Sequence, residues 1–487
     1  MSQVTSQAVE SIRAQLGGLP SPALQVPPPQ IASAPARIDV LGGLACQAGG
    51  AVAQMALPRR ATVGLAWQSS GILNIKLRQP GLTPERQLQI PFKSVLGEGE
   101  LPSPAQVRAN IGLQQTWANP FAAVFYVLAH DGWLAALDRM QDAGGNRISG
   151  ATIVIESGIS EASAQANVTA STAALLQALV QSLHLAINTL DKALLIQRAQ
   201  NLFSPGSSHV VDALTVLSAQ DGPPAHLLRY GTQPNELLGQ ISLPENLRIM
   251  ALDTGVKILR PSQTMQLLRT TGAMGLRIVE TVYHDLGQQH APLHGYLGNL
   301  SPVVYRRYFR GLLPRRLRGS DFLRSYGALS PAEGEIVTEN IYRVRAAADH
   351  LMSELEHAEN FLQAMEELSE PPQGALTRAQ RELILRRAGR LLTASQHSYR
   401  LRLGLSCPEV DWLIQQFIAT DPKDGIYGAR ISECGGGGTV VLLMDNTPQA
   451  TDALLKVISE YPRQTGYKLD VQAAGAKGSA GALLWNA

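Results

Sequence analysis

Alternating apolar and polar positions predict short strands in the first part of the chain, and 3.6-residue periodicity predicts helices between them. The strands have β-branched composition and turn-like borders. The helices are marked by apolar residues that recur every three or four positions. The predicted elements are strands at 61–67, 71–77, 86–92 and 150–156 and helices at 120–142 and 163–200.

The second part of the chain has a different pattern. Helical periodicity dominates 336–367 and 377–400, and the order strand, strand, helix, strand follows. That order suits a small antiparallel sheet with helices on one face, so we expect an α+β fold. The predicted division is an N-terminal extension with a proline-rich linker at 1–30, one domain at 31–240 and a second domain at 241–487.

Composition narrows the class of protein. A chain of 487 residues, 45% hydrophobic and 16% charged, has the composition of a folded protein with two or three domains. The net charge of +2 gives no reason to expect nucleic acid or a membrane as a partner. Cys46, Cys407 and Cys434 are too far apart for a zinc cluster and odd in number, which favours a reducing compartment. The start lacks the pattern of a secretory signal, so we expect a cytoplasmic location.

The segment APARIDVLGGLACQAGG, at 34–50, combines charge with paired glycines. A predicted strand carries Arg37 and Asp39 and ends at Gly42 and Gly43. Such glycines serve an ordinary turn that needs positive φ, and they also let a ligand approach the backbone. The residues alone leave both interpretations open.

The segment IVIESGIS leads from a strand into a long helix. The turn and helix opening contain Ser157, Gly158, Ser160 and Ser163. Unpaired N–H groups and the positive end of the helix dipole at such an opening suit a phosphate. A serine that caps the helix would satisfy the same N–H groups without a ligand, so this alternative stays open.

Two further features are candidates for the same chemistry. The run ECGGGGTVV contains Gly435, Gly436, Gly437 and Gly438, which would allow close approach of a ligand or form a bulge or hairpin turn. Asp212 begins an otherwise apolar helical segment, where an aspartate is either a helix-start residue or a catalytic residue.

Taken in chain order, these segments resemble the GHMP small-molecule kinases, and within them the galactokinase and arabinokinase group. ARIDVLGGLACQAGG resembles the sugar-binding signature, ESGISEASAQA the phosphate loop and SSHVVDALTVL the segment with the catalytic aspartate. LDTGVK, GNLSP, SCPEVDWLI and YGARISECGGGGTVVLL resemble later motifs of the group. The resemblance extends from about Ala34 to Leu443 and implies a two-domain α+β fold with the active site in the interdomain cleft.

The resemblance implies transfer of the ATP γ-phosphoryl group to a monosaccharide hydroxyl, usually the anomeric one, with Mg²⁺. Asp212 would act on the sugar hydroxyl, with Arg37 beside it. The implied phosphate-binding residues are Ser157, Gly158, Ser160, Ser163, Gly435, Gly436, Gly437 and Gly438. The implied sugar-binding residues are Asp39, Gly43, Cys46 and Asp212, and the implied metal ligands are Ser160 and Glu161. The implied partners are ATP and a sugar; the oligomeric state is left open.

Several positions depart from the pattern of the group. Glu156 replaces the first glycine of the phosphate loop, Glu161 replaces a serine and Ala166 stands where a metal-holding glutamate is common. Cys46 replaces a sugar-binding aspartate, and Glu433 and Cys434 replace two glycines before the glycine run. Carboxylates beside a triphosphate repel it unless a metal lies between them. The alternative function is therefore a catalytically impaired, galactokinase-like module that binds sugar or nucleotide.

Overall fold

The structure is a computed structural model that describes residues 3–17, 26–80, 82–142, 144–160, 163–203, 208–219, 224–257, 261–287, 293–330, 333–371, 374–433, 435, 437–474 and 481–483. The chain divides into two compact units. Unit 1 comprises Met1–Arg37, Ala56–Pro223 and Gly475–Ala487, and unit 2 comprises Ile38–Met55 and Pro224–Ala474. The sequence suggested a boundary near 240; the domain bounds given there stay a prediction.

The strands are named in chain order. They are β1 (Gln30–Leu41), β2 (Ala51–Gln68), β3 (Ile72–Arg78), β4 (Arg86–Pro91), β5 (Gly150–Ser157), β6 (His226–Thr232), β7 (Asn235–Ser242), β8 (Leu247–Asp253), β9 (Leu317–Arg318), β10 (Ile341–Tyr342), β11 (Ile426–Ile431), β12 (Thr439–Asp445), β13 (Asp470–Ala473) and β14 (Gly481–Leu483).

The α-helices are named in the same way. They are α1 (Gln3–Leu16), α2 (Lys93–Leu96), α3 (Pro104–Ile111), α4 (Asn119–His130), α5 (Ala164–Ser182), α6 (Thr189–Phe203), α7 (Val210–Ser218), α8 (Pro261–Asp285), α9 (Pro302–Val304), α10 (Gly319–Tyr326), α11 (Val344–Ser369), α12 (Arg378–His397), α13 (Pro408–Ala419) and α14 (Pro448–Thr465). Among the described residues, no helix is both long enough and apolar enough to cross a membrane.

Unit 1 is built on a mixed sheet in the order β14–β1–β2–β5–β3–β4. β5 pairs antiparallel with β2 and parallel with β3, so it is a central strand. Its first six residues, 150–155, are all buried. A strand that is covered on both faces needs such a continuous apolar run, which GATIVIE supplies. Helices α4, α5, α6 and α7 pack against one another beside the sheet.

Helix α1 lies directly on the unit 1 sheet. Val9, Ile12 and Leu16 are buried in a cluster with Val154 of β5. A Cβ atom on Gly64 of β2 would lie 2.2 Å from Cγ2 of Ile12, so the helix approaches the strand where it has no side chain. The spacing of the three apolar residues places them on one helical face, which explains why a helix of polar composition is anchored.

Unit 2 contains a second sheet in the order β11–β12–β8–β13, and every pair in it is antiparallel. This confirms the antiparallel C-terminal sheet that the sequence predicts. Its core joins strand residues such as Leu442 with Phe417 of α13 and Leu454 of α14. In the same unit, the first residues of β2 pair with β6, which forms a hairpin with β7.

The arginine-rich segment at 305–324 belongs to a second core of unit 2. Its side chains Tyr305 and Phe309 are buried there, with residues of α8 and α11. Arg310 forms a bidentate ion pair with Asp349 of α11 at 2.8 and 2.9 Å. The positive charge of Arg310 therefore binds this segment to α11.

Two predicted helices are shorter than the sequence pattern suggests. The helix predicted at 120–142 ends at His130, because Gly132 follows with a φ of +78° and breaks the helical path. The tract predicted at 163–200 is two helices, α5 and α6, and His184 between them has a φ of +52°. Periodicity continues through such turns when both helices face the same core.

Candidate active site

An ion pair between Arg37 and Asp212 lies in the interior of unit 1. Nη2 of Arg37, on β1, is 3.1 Å from Oδ2 of Asp212, and the two side chains are 1% and 8% exposed. A buried guanidinium and a buried carboxylate each need an opposite charge nearby, and this pair supplies both. The structure thus brings together the two residues that the resemblance assigns to catalysis.

Asp212 also lies at the start of a helix. It is the third residue of α7, and its Oδ2 accepts a hydrogen bond of 3.1 Å from the backbone N–H of His209. A carboxylate in this position offsets the positive end of the helix dipole. The helix-start role that the sequence left open is therefore present alongside the ion pair, on the same oxygen atom.

The turn between β5 and α5 is described except at residues 161 and 162. Ser163 is the residue before α5, but its hydroxyl makes no capping bond to the helix, and the first turn contains no acidic residue. Ser157 is directed inward, since its Oγ donates to Oδ1 of Asn167 at 2.5 Å and accepts from the N–H of Ile159 at 3.1 Å. Gly158 is fixed by a bond of 2.9 Å from its N–H to the carbonyl of Arg60.

Glu156, the first departure from the phosphate-loop pattern, is directed toward α1. Its Oε1 accepts hydrogen bonds from Ser11 Oγ at 2.7 Å and Gln15 Nε2 at 3.4 Å, and Arg78 lies 4.0 Å away. Because successive side chains of a strand alternate in direction, Glu156 and Ser157 point to opposite faces of β5. The Glu156 carboxylate therefore lies on the face of the sheet that α1 covers, and the Ser157 hydroxyl lies on the face that α5 covers.

The predicted metal ligands are only partly described. Ser160 is described and half-buried, whereas Glu161 lies outside the described residues. Ala166 is buried in the first turn of α5 and offers no ligand atom. Over the residues that the structure describes, no group of three or more His, Cys, Asp or Glu side chains is arranged for a metal ion. The Mg²⁺ site stays a prediction.

The segment that resembles the sugar signature forms a tight turn in unit 2. Gly42 has a φ of +99°, a conformation that favours glycine, and a 3₁₀ turn follows at Leu44–Ala48. Cys46 is buried in that turn, with its N–H bonded to the carbonyl of Gly42 at 3.2 Å. A Cβ atom on Gly43 would lie 2.3 Å from Oδ2 of Asp39. The Asp39 carboxylate therefore fills the space above Gly43.

Asp39 is held inside unit 2 by Arg430 of β11. Nη1 of Arg430 is 3.0 Å from Asp39 Oδ2 and donates at 2.8 Å to the carbonyl of Val40, and both side chains are almost fully buried. Burial raises the pKa of Asp39 to about 6; Arg430 opposes this shift, and the charges of Glu433 and Glu354 add to it. The predicted contact of Asp39 with a sugar stays a prediction, since one of its oxygens already binds Arg430.

The described glycines of the run in unit 2 pack closely against backbone carbonyls of other segments. Gly435, Gly437 and Gly438 have positive φ, as does Glu433 before them. A Cβ atom on Gly435 would lie 2.4 Å from the carbonyl of Leu405, and one on Gly437 would lie 2.8 Å from that of Val256. These contacts are a structural reason for glycine at the two positions. Cys434 and Gly436 lie outside the described residues, and nucleotide binding by the run stays a prediction.

Three residues of this region escaped the sequence analysis. They are Arg430, Glu354 of α11 and Tyr399, and all three are buried in unit 2. Only Arg430 carried a signal, because a charged residue inside the apolar run IYGARI needs a buried partner. Helical periodicity hides Glu354 among the exposed acids of α11.

Part of unit 2 matches a known protein family. Residues 380–463 match the family model described as GHMP kinases C terminal. The chain is 24% identical to L-arabinokinase of Arabidopsis thaliana over 90% of its own length and 45% of that protein. It is 34% identical to galactokinase of Homo sapiens over a segment that covers 18% of this chain and 22% of that protein. The chain thus spans about half the length of the plant relative.

Two solved structures share the fold. The structure of Lactococcus lactis galactokinase complexed with galactose aligns with a TM-score of 0.67 at 14% identity, covering 99% of this chain and 100% of that one. The structure of Methanococcus jannaschii mevalonate kinase aligns with a TM-score of 0.52 at 11% identity, covering 91% and 98%. These likenesses confirm the predicted α+β fold of the GHMP kinases. The chain thus has the fold of the GHMP kinases and a segment, 380–463, that matches their C-terminal family model, and its sequence is similar to L-arabinokinase and galactokinase.

Proposed function

We propose that the chain is an ATP-dependent sugar kinase that transfers the γ-phosphoryl group to a hydroxyl of a monosaccharide. The proposed acceptor is the anomeric hydroxyl of galactose, arabinose or a related sugar. The observation that carries the proposal is the buried pair of Arg37 and Asp212 in unit 1. The likeness to proteins named L-arabinokinase and galactokinase supports the choice of sugars.

In this proposal, Asp212 orients the sugar hydroxyl and receives its proton as the hydroxyl oxygen bonds to the γ-phosphorus and ADP leaves. Phosphoryl transfer asks little covalent chemistry of the protein, so the carboxylate contributes chiefly by position. Arg37, at 3.1 Å from Asp212 Oδ2, holds this carboxylate in place and opposes the negative charge that develops on the transferred group.

The start of α5 is the proposed binding site for the phosphates. Ser163 makes no side-chain capping bond to this helix, the first turn of α5 contains no acidic residue, and the positive end of a helix dipole favours an anion. Glu156 points toward α1, which removes one source of repulsion from this side of the turn. Gly158 and Ser160 complete the proposed turn.

The remaining assignments extend the same proposal. Mg²⁺ would neutralise charge on the phosphates, with Ser160 and Glu161 as proposed ligands. In unit 2, the turn that contains Gly43 and Cys46 is proposed to contact the sugar, and the glycine run 435–438 to contact the nucleotide.

The test is an ADP-release assay over a panel of aldoses and uronic acids that includes galactose and arabinose. Asp212→Asn should lower kcat by at least about a hundredfold, the scale on which general-base groups contribute. Asp191→Asn is the matched control, because Asp191 also lies in the first turn of a helix of unit 1 but is exposed. Its kcat should equal that of the unsubstituted protein.

The catalytically impaired module gives different results in the same series. It would bind ATP or a sugar in calorimetry but release no ADP with any member of the panel. If turnover persists in Asp212→Asn, Asp212 does not have its proposed role. The protein would then be a kinase that transfers the phosphoryl group by another mechanism.

A further inference from the structure

Arg430 connects two turns of unit 2 that are far apart in sequence. Its Nη1 atom binds Asp39 Oδ2 at 3.0 Å and the carbonyl of Val40 at 2.8 Å, just before the turn that begins at Gly42. Its Nη2 atom donates at 3.2 Å to the hydroxyl of Tyr399. The side chain is fully buried, so these contacts have no competition from solvent.

The same residues hold the start of the glycine run. The hydroxyl of Tyr399 donates at 2.9 Å to the carbonyl of Glu433, and Oγ of Ser432 donates at 2.8 Å to the main-chain carbonyl of Asp39. A Cβ atom on Gly435 would lie 3.1 Å from the ring of Tyr399, so the run rests on that ring. The start of the glycine run is therefore connected to Asp39 in two ways. One is the direct bond from Ser432, and the other passes through Tyr399 and Arg430.

A second carboxylate completes the connection. Oε1 of Glu354 lies 3.6 Å from Nη2 of Arg430, and it accepts from the N–H of Gly42 at 3.4 Å and from Ser395 Oγ at 2.9 Å. One guanidinium thus lies between two carboxylates. Asp39 lies three residues before Gly42 in the chain. Glu354 accepts a hydrogen bond from the N–H of Gly42.

Buried charges make this connection stiff. If one turn moved away from Arg430, a carboxylate or the guanidinium would lose its counter-charge in the interior, which is strongly unfavourable. The two turns consequently hold their positions together or shift together. Order imposed on one turn by a ligand is then transmitted to the other.

We propose that Asp39 and Arg430 are positioning residues that couple sugar binding at the turn 42–48 to nucleotide binding at the described residues of the glycine run, which are Ser432, Glu433, Gly435, Gly437 and Gly438. Each ligand lowers the dissociation constant of the other, because the first one fixes the network that the second one needs. The inference rests on the proposed function for the identity of the two ligands. It assigns Asp39 a place in the coupling that does not require contact with the sugar.

The experiment is titration calorimetry with a non-hydrolysable ATP analogue in the absence and presence of saturating galactose or L-arabinose. The coupling factor is the ratio of the two dissociation constants of the analogue. For the unsubstituted protein we expect a factor of about five or more, within the usual range of coupling between sites. Asp39→Asn and Arg430→Lys should bring the factor close to one.

The matched control is Arg381→Lys. Arg381 forms an ion pair of 2.7 Å with Asp445 in the same unit, and the pair also bonds the carbonyl of Asn246 and the hydroxyl of Tyr427, which lie outside both turns. The control should keep the coupling factor of the unsubstituted protein. A purely structural role for Arg430 would change each binary affinity and leave the factor as it was, so the factor separates the two roles. Arg430→Met extends the series if it folds, and the two conservative variants decide the outcome without it.

The possible failures are distinguishable. A factor of one in the unsubstituted protein, a factor that survives in Asp39→Asn, or failure of either ligand to bind overturns the coupling. Turnover without coupling leaves the kinase proposal intact and rejects this inference. Coupled binding without turnover supports this inference and rejects phosphoryl transfer.

Discussion

Glu156 and Ser157 are consecutive residues of β5, yet Glu156 accepts a hydrogen bond from Ser11 of α1 and Ser157 donates one to Asn167 of α5. The most serious departure from the phosphate-loop pattern thus points away from the helix start that is proposed to bind phosphate. Ser11 of α1 donates a hydrogen bond to that carboxylate. The glutamate at position 156 therefore serves the packing of α1 on β5.

Glu156→Gln should change the dissociation constant of ATP by less than about threefold. A carboxylate about 4 Å from a phosphate would cost several kcal/mol even at intermediate dielectric, so its removal would tighten binding by far more than tenfold. Fluorescence titration with a nucleotide analogue measures the difference. Ser163→Asp is the contrasting variant, because it puts a charge at the helix start, and it should weaken binding more than about tenfold. Tighter binding by Glu156→Gln would show that the carboxylate faces the nucleotide.

Ile12→Ala should destabilise unit 1 by about 2–5 kcal/mol, the usual cost of removing a large buried aliphatic side chain. Ile12 is fully buried on the face of α1 that contacts the sheet, and it lies over Gly64. Leu190→Ala is the control, since Leu190 is 42% exposed on α6 and its loss should cost about 0.5 kcal/mol or less. Urea unfolding, with amide exchange in β5 as a local probe, compares the two. Equal costs would mean that α1 does not anchor the sheet.

Gly43→Ala should destabilise the protein by about 1–3 kcal/mol, the range for forcing an extra group into a packed site. The added Cβ would lie 2.3 Å from Oδ2 of Asp39, whose carboxylate is held by Arg430 and cannot turn away cheaply. Gly239→Ala in β7 is the control, because a Cβ there meets nothing within 4 Å. Thermal unfolding measures both, and similar melting temperatures for the two variants would contradict the close packing of Asp39 against Gly43.

The residues that sequence analysis found share one property: their signal is local. A strand followed by serines, glycine and a helix predicts the turn after β5, and paired glycines predict the turn at 42–43. Asp212 was found through its position at the start of an apolar segment. Such patterns arise because turns and helix starts have requirements that neighbouring residues must meet.

The contacts that sequence analysis missed are long-range. Arg430 and Asp39 are 391 positions apart, and nothing near either residue names the other as its partner. The direction of Glu156 was also hidden, since it depends on α1 packing over β5 from 145 positions away. The spacing of the apolar residues Val9, Ile12 and Leu16 indicates that one face of α1 is buried. It does not indicate which strand that face contacts.

The pH dependence of stability offers a separate check on the buried Asp39. Its pKa is raised from 3.8 to about 6 by burial, so the folded state binds its proton more tightly than the unfolded state does. The stability from this group is present below the unfolded pKa and is lost as pH rises through about 6. His350, whose pKa burial lowers to about 4, acts in the opposite sense in an overlapping range. A comparison with Asp39→Asn is therefore needed to isolate Asp39.

Between about pH 5 and about pH 7, the unfolding free energy of the unsubstituted protein should fall by about 1 kcal/mol relative to that of Asp39→Asn. The groups facing Asp39 are Arg430, Glu433 and Glu354, and all three are retained in the variant. Denaturant unfolding at several pH values measures the difference. If the two curves stay parallel, Asp39 does not titrate in this range, and its carboxylate is ionised by Arg430 at a normal or lowered pKa. If the unfolding free energy of the unsubstituted protein falls relative to that of the variant toward pH 7, the buried carboxylate ionises there at a net cost to the folded state, which is the result that the burial of Asp39 predicts.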